Sequence, residues 1–342
     1  VHSDAGTGVG YSGIRIRGTD GTRINVTLNG IPYNDAESSM TYFVDLPDFS
    51  SSVNSIQIQR GVGTSTNGAG AFGATMNLST NSYNPSAYLS FNNSVGSFNS
   101  MKNNLVVGSG LIKNHFTIDG RLSRISSDGY MDRASSDLNS FYVSGTYWGN
   151  KSSLRLNVFS GKEKTYQSWY GVPEELLATN RTYNPAGMEK TDAPYPDQTD
   201  NYTQTHYQLF YNKQVSNYFK WSTALFLTKG KGYYEEYKAG VNMNDYIFPY
   251  NPIYYNINPD IIRRRWLGNN FYGQIASLMY EKGGNELTIG GGWNQYDGEH
   301  FGILPYPNVI AIKSPIEYYR NNATKKDYTF YTKWQYLSLI HI

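Results

Sequence analysis

The chain has 342 residues, a formal net charge of +2 and no cysteine. The near-neutral charge argues against a nucleic-acid partner, and the lack of cysteine excludes disulfides and thiolate metal sites. Aromatic residues make up 15%, with 32 Tyr against 15 Phe; an amphipathic ring suits a recognition surface or a water–lipid boundary.

No apolar run reaches the roughly 18 residues of a membrane helix. A membrane barrel remains open, because its strands need only alternate residues to be apolar. Residues 1–83 are Gly-rich, with short strands predicted at "GIRIRG" (13–18), "RINVTLNG" (23–30), "VNSIQIQRG" (53–61) and "ATMNLST" (74–80). Each is bounded by turn residues, and Asn84-Pro85 marks a break.

From residue 86 the pattern changes to longer strands with one apolar and one polar face. Phe116, Ile118 and Leu122 alternate with Thr117, Asp119 and Arg121; Leu154, Leu156 and Val158 alternate with Arg155 and Asn157. Period two of this kind marks a two-sided sheet. About ten strands are predicted, near 86–96, 101–109, 114–125, 139–149, 152–163, 202–213, 218–229, 269–281, 285–298 and 326–336. Short turns alternate with long segments (126–138, 164–201, 230–268, 299–325). In an antiparallel meander this puts all short turns at one end and the long loops at the other, as in outer-membrane barrels. The connection "GSFNS" (96–100) is a mild exception.

Enzyme signatures are weak. The five His (2, 115, 206, 300, 341) stand apart, without metal-ligand spacing, and no G-x-S-x-G elbow occurs. Gly68, Gly70 and Gly73 spell G-x-G-x-x-G. A dinucleotide turn would need a helix after it and an acid about 20 residues on. Here a strand follows, and no Asp or Glu stands between Asp48 and Asp119. No cofactor or metal site is expected.

"IRIRGTDGTRINVTLNGIPYND" followed by "VNSIQIQRGVGTSTNGAGAFGATMNLST" resembles the plug domain of TonB-dependent outer-membrane receptors. The matching pieces are Ile16-Arg17-Gly18, Asn29-Gly30-Ile31-Pro32 and Ile56 through Leu78, with Gln57 and Val62 departing from the family's usual Glu and Pro. The resemblance implies an all-β chain with a small α/β-type plug. The plug (1–83) is followed by an incomplete antiparallel transmembrane β-barrel (84–336), the first part of the family's 22-stranded one. The signal peptide and TonB box are expected upstream of Val1. "LSLIHI" (337–342) reads as a non-native, adaptor-derived tail.

It further implies an importer of the bacterial outer membrane, not an enzyme. TonB, with ExbB and ExbD, would pull on the plug while a small-molecule metal chelate such as a ferric siderophore binds from outside. Outer-membrane lipid and lipopolysaccharide are further expected partners. Glycan uptake of the SusC type with a surface lipoprotein, cobalamin uptake and a passive porin-like barrel are the alternatives. The family's plug arginines match Arg17 and Arg60, expected to lock plug to barrel through glutamates. The plug glycine motif is Gly61, Gly68, Gly70 and Gly73. Candidate ligand contacts by position are Tyr11, Tyr33, Asn34, Asp35 and Tyr42 on the plug. Trp169 and Tyr170 join them from one outer loop, and Arg263, Arg264 and Arg265 from another.

Overall fold

The computed structural model describes residues 1–63, 70–80, 83–246, 258–306 and 315–337. Among the described residues the N-terminal part holds six short strands: β1 (His2–Ser3), β2 (Ser12–Gly13), β3 (Ile24–Leu28), β4 (Ile31–Pro32), β5 (Ser55–Arg60) and β6 (Ala74–Ser79). β1 and β2 pair with each other, and the other four form a sheet in the order β4-β3-β6-β5. β3 and β4 are joined through Asn29-Gly30, both at positive φ (58° and 83°). An Asn-Gly pair in this conformation matches the right-handed twist of the flanking strands. Among the described residues here, helical structure is confined to 3-10 turns at Gly21–Arg23, Phe43–Asp45 and Phe49–Ser52.

The strand expected at 13–18 does not form. Arg17 and Gly18 take positive φ (52° and 82°), and the chain bends back so that Ile16 bridges Thr19. A β-strand cannot continue through two left-handed residues.

The rest is one antiparallel sheet of ten strands in sequence order. They are β7 (Tyr88–Gly96), β8 (Ser100–Gly108), β9 (Phe116–Ser127), β10 (Ser136–Trp148), β11 (Ser152–Tyr166), β12 (Thr199–Gln214), β13 (Phe219–Lys238), β14 (Ile261–Lys282), β15 (Asn285–Leu304) and β16 (Ile316–Tyr336). The ten predicted strands are all present. The later ones run further toward the long-loop end than the alternation indicated. β14 begins at Ile261, not near 269, and β16 at Ile316, not near 326. The short turns lie at one end and the long connections at the other, as the loop lengths required. Residues 338–342, most of the expected tail, and Gly68 lie outside the described residues.

The outward face carries the apolar positions: Leu89, Phe91, Ile118, Leu122, Leu225, Phe330 and Trp334 are all exposed. Such a belt is stable against lipid and unfavourable against water. The inward face is polar and wraps the plug. One core joins the two parts: Ile24, Val26, Leu28, Phe49, Ala74 and Leu78 of the plug pack with Tyr142 of β10 and Phe159 of β11. A second contact seats the hairpin residue Ile31 on Ala224 and Phe226 of β13. At Gly161 of β11, an added Cβ would stand 2.1 Å from the Asp45 carbonyl oxygen and 2.5 Å from Pro47 Cδ. Only glycine lets the wall approach the plug backbone this closely.

Candidate ligand site between plug and wall

The Leu46–Ser52 stretch of the plug is tied to the wall through Asp48. Its carboxylate accepts from Asn104 Nδ2 (2.6 Å), Ser123 Oγ (2.7 Å) and Ser51 Oγ (2.6 Å), and is ion-paired to Lys102 and to Arg121 (3.5 Å). Arg121 and Asp48 side chains are 2% and 1% exposed. Burial alone would raise the Asp48 pKa, but the bonds from Lys102, Ser51 and Ser123 outweigh it and hold it below the ordinary value. Arg121 also donates to Ser52 Oγ, at 2.8 Å. This is a plug-to-wall lock with the carboxylate on the plug, and the sequence reading missed it.

The arginines read as the lock sit elsewhere. Arg17 and Arg60 are both exposed, and neither makes an ion pair among the described residues. The glycines act locally: Gly61 N–H donates to the Gly73 carbonyl and Gly73 N–H to that of Arg23, each at 2.8 Å. A Cβ on Gly73 would fall 2.3 Å from Thr19 Oγ1, whereas Gly70 faces open space.

Above the Asp48 lock, toward the long loops, a cavity of ≈ 690 Å³ opens between the plug and β11–β16. Tyr11, Tyr33, Asn34, Asp35, Tyr42, Trp169 and Arg265 all line it. Residues read as separate candidates from four stretches of sequence thus meet in one place. Tyr170 lies beside Trp169 at 6.2 Å between ring centroids, exposed and outside the lining. A larger space of ≈ 890 Å³ lies mainly toward the short turns, lined by Trp148, Asn212, Ser222 and Ser277 among others. Asn34 and Asp35 border it too, and it carries fewer charged and aromatic residues than the upper cavity.

Some lining side chains are spent on the loop itself. Asn34 accepts from Val26 N–H (2.7 Å) and donates to the carbonyls of Ile24 (2.8 Å) and Ser39 (3.0 Å). Asp35 accepts from Ser38 N–H and Ser38 Oγ, both at 2.7 Å. Tyr33 donates to the Tyr42 carbonyl at 3.0 Å. These bonds shape the apex and leave the aromatic faces and the cavity floor for contact.

The arginine run is not in a loop. Arg263, Arg264 and Arg265 lie on β14, opposite Glu236, Glu235 and Tyr234 of β13. Arg263 Nε pairs with Glu236 at 2.9 Å and Arg264 Nε with Glu235 at 2.5 Å. Glu235 also receives the Tyr195 hydroxyl at 2.5 Å, which docks the 167–198 connection on the strand. Arg264 and Arg263 are therefore neutralised in place. Arg265 faces the cavity, donating to the Tyr234 hydroxyl at 2.8 Å.

The floor holds residues the sequence reading did not place in a site: Asp45, Glu163, Asp200, Tyr202 and His206, the last set aside there as an isolated histidine. Tyr11 donates to Asp200 Oδ2 at 2.5 Å and to Glu163 Oε1 at 3.4 Å, so the N-terminal segment is pinned to β11 and β12. His206 is held between Thr228 (2.9 Å) and Gln204 (3.0 Å), with its ring stacked on Phe159 at 4.5 Å. A signal for Glu163 was present: it continues the inward odd-numbered series Arg155, Asn157, Phe159 and Gly161. Nothing local marked Asp45.

A family model for the TonB-dependent receptor plug domain matches residues 1–75. Among curated proteins, none matches the chain in sequence. Solved structures share its fold at low identity. The copper transporter OprC superposes with a TM-score of 0.66 at 13% identity, over 96% of this chain and 49% of that one. The ferripyoverdine receptor of the outer membrane of Pseudomonas aeruginosa, bound to ferripyoverdine, gives 0.65 at 13%, over 95% and 45%. BauA, the ferric preacinetobactin receptor of Acinetobacter baumannii, gives 0.63 at 11%, over 98% and 51%. The chain spans about half the length of these structures. They are transport receptors, not enzymes, and the architecture matches theirs in both parts. Residues 1–75 match the TonB-dependent receptor plug family, and the chain as a whole shares the fold of these receptors, a plug against part of an antiparallel β-barrel.

Proposed function

We propose that the chain is part of an active importer that carries a scarce nutrient across the outer membrane, with a ferric siderophore or other metal chelate as cargo. The observation that carries this reading is the ≈ 690 Å³ cavity at the long-loop end. It is roomy enough for a small molecule, lined by the plug apex and the wall together, and floored by the plug. A cargo seated there touches both the part that moves and the part that stays. A passive porin has no use for a plug tied down by a buried charge cluster.

In this reading TonB, with ExbB and ExbD, acts on the N-terminal side of the plug, where β1 and β2 and Tyr11 hold the segment against the wall. The exposed outward belt meets outer-membrane lipid, and lipopolysaccharide surrounds the strand extensions above it. Arg17 and Arg60 would pair with barrel glutamates. The test is growth of a deletion strain at limiting iron with ferric chelates as sole iron source. Loss of growth on one chelate, restored by the full-length gene only when TonB is present, is the expected result. Unimpaired growth on every chelate, or rescue without TonB, overturns it.

A further inference from the structure

Asp45 lies on the cavity floor, 7% exposed, and among the described residues no side chain or backbone group donates to its carboxylate and no cation pairs with it. A buried carboxylate in that condition is costly unless a positive group reaches it. Two more acids converge from the wall, Glu163 on β11, 1% exposed, and Asp200 on β12. They share the Tyr11 hydroxyl, and Glu163 also accepts from Thr165 at 3.3 Å. A hydroxyl lends a partial charge only and leaves the cluster uncompensated.

The surroundings do not supply the missing charge. Six carboxylates line the cavity (Asp4, Asp35, Glu37, Asp45, Glu163 and Asp200) against one arginine. That arginine, Arg265, bonds the Tyr234 hydroxyl and is not among the charges acting on Asp45, and His300 faces Glu37 at 2.7 Å. Above the floor stand Tyr11, Tyr42 and Trp169. Tyr11 lies 5.5 Å from Trp169 and 6.5 Å from Tyr42 between ring centroids, both edge-on. Mutually perpendicular rings over an acidic floor present faces that attract a cation. Among the described residues no three acids or histidines are grouped tightly enough to hold a bare metal ion. The occupant must therefore be wider than an ion and bring its own N–H donors.

We infer that this cavity receives an organic cation: an ammonium or guanidinium group of the cargo, seated on Asp45, Glu163 and Asp200 and walled by Tyr11, Tyr42 and Trp169. The word cargo rests on the import reading; the cation site itself does not. It gives the proposed chelate a positively charged arm, which an anionic chelate would lack.

The test is calorimetric titration of the full-length receptor in detergent with agmatine, which carries both cationic groups, and with tricarballylate as an anionic probe. Agmatine is expected to bind at millimolar affinity or tighter, and tricarballylate not at all. Asp45→Asn and Glu163→Gln should each weaken agmatine by about tenfold or more, as expected for a charged hydrogen-bond partner. Glu281→Gln, at the short-turn end of β14, should change nothing. Heat resistance of each variant on unboiled gels separates a lost site from a lost fold. No agmatine binding, unchanged binding in a folded Asp45→Asn receptor, or preference for the anion overturns the inference. TonB-dependent uptake of an anionic chelate without agmatine binding would sink this inference and leave the import reading intact. Agmatine binding with uptake that ignores TonB would do the reverse.

Discussion

Asp45 and Asp48 are three residues apart on one plug segment, and both are buried against the same wall. Asp48 meets Lys102, Arg121, Asn104 and Ser123, so its charge is compensated many times over. Asp45 meets no donor among the described residues and shares its space with Asp200 and Asp35. Residue type and burial are equal; partnership is not. A compensated carboxylate holds parts together, and an uncompensated one facing a cavity waits for something to bind. The stretch between them lies against Gly161 of the wall.

The largest effect expected from breaking this comparison is at Asp48. Asp48→Asn leaves Arg121 buried without its counter-charge, which costs about 3–5 kcal/mol for pairs of this kind. Plug release or protease entry at lower denaturant concentration is the readout. Gly161→Val should act in the same direction, since the added side chain collides with the Asp45 carbonyl.

Asp45→Asn should have the opposite sign. It replaces an unpartnered buried carboxyl by a neutral amide, so plug docking should hold, or gain at most on the order of 1 kcal/mol at neutral pH, measured by the same denaturation. A loss as large as that of Asp48→Asn would mean Asp45 has a structural partner after all.

Titration separates the two acids further. Burial, with Asp200 and Asp35 nearby, raises the Asp45 pKa well above the carboxylate range, whereas the Asp48 pKa is lowered. A raised carboxyl contributes stability that is full below the unfolded value of about 3.9 and fades as pH rises through its folded value. A lowered one contributes stability that is present above about 3.9 and is lost as pH falls through its folded value. Docking should therefore weaken at both ends: on acidification through Asp48, and on rising pH through Asp45. The alkaline-side loss should disappear in Asp45→Asn and the acid-side loss in Asp48→Asn. Tyr11 and Tyr33 face the same cavity and are also raised by burial, so residual slopes will remain.

The smallest effect is expected where a pair is solvated. Arg124 and Asp137 bond at 2.9 Å on the outward face, with side chains 61% and 44% exposed. Arg124→Ala should leave the denaturation midpoint unchanged, as exposed pairs generally do.

The barrel wall was legible because lipid on one side and a polar lumen on the other impose period two, as at Phe116–Leu122. That legibility fails above the membrane. "KGKGYYEEYK" of β13 and "IIRRRW" of β14 carry charged residues on both faces, so the apolar–polar alternation is lost and the strands read as loop. The Arg263–Arg265 run was misplaced for this reason. The plug was legible through motif order, including the Asn29-Gly30 hairpin. The Asp48–Arg121 lock was not, because its partners are 73 positions apart and neither has a local signature. The aromatic candidates Tyr11, Tyr42 and Trp169 were found by position in the chain. Their acidic floor was missed because Asp45, Glu163 and Asp200 become neighbours only when the plug is seated in the wall.

The most direct measurement is a structure of the full-length receptor with its natural cargo bound. A positively charged nitrogen of the cargo within about 4 Å of Asp45 or Glu163, beneath Tyr11 and Trp169 and with Asp48 still paired to Arg121, is the result predicted. A cargo seated elsewhere, or one that turns an anionic group toward Asp45, would contradict it.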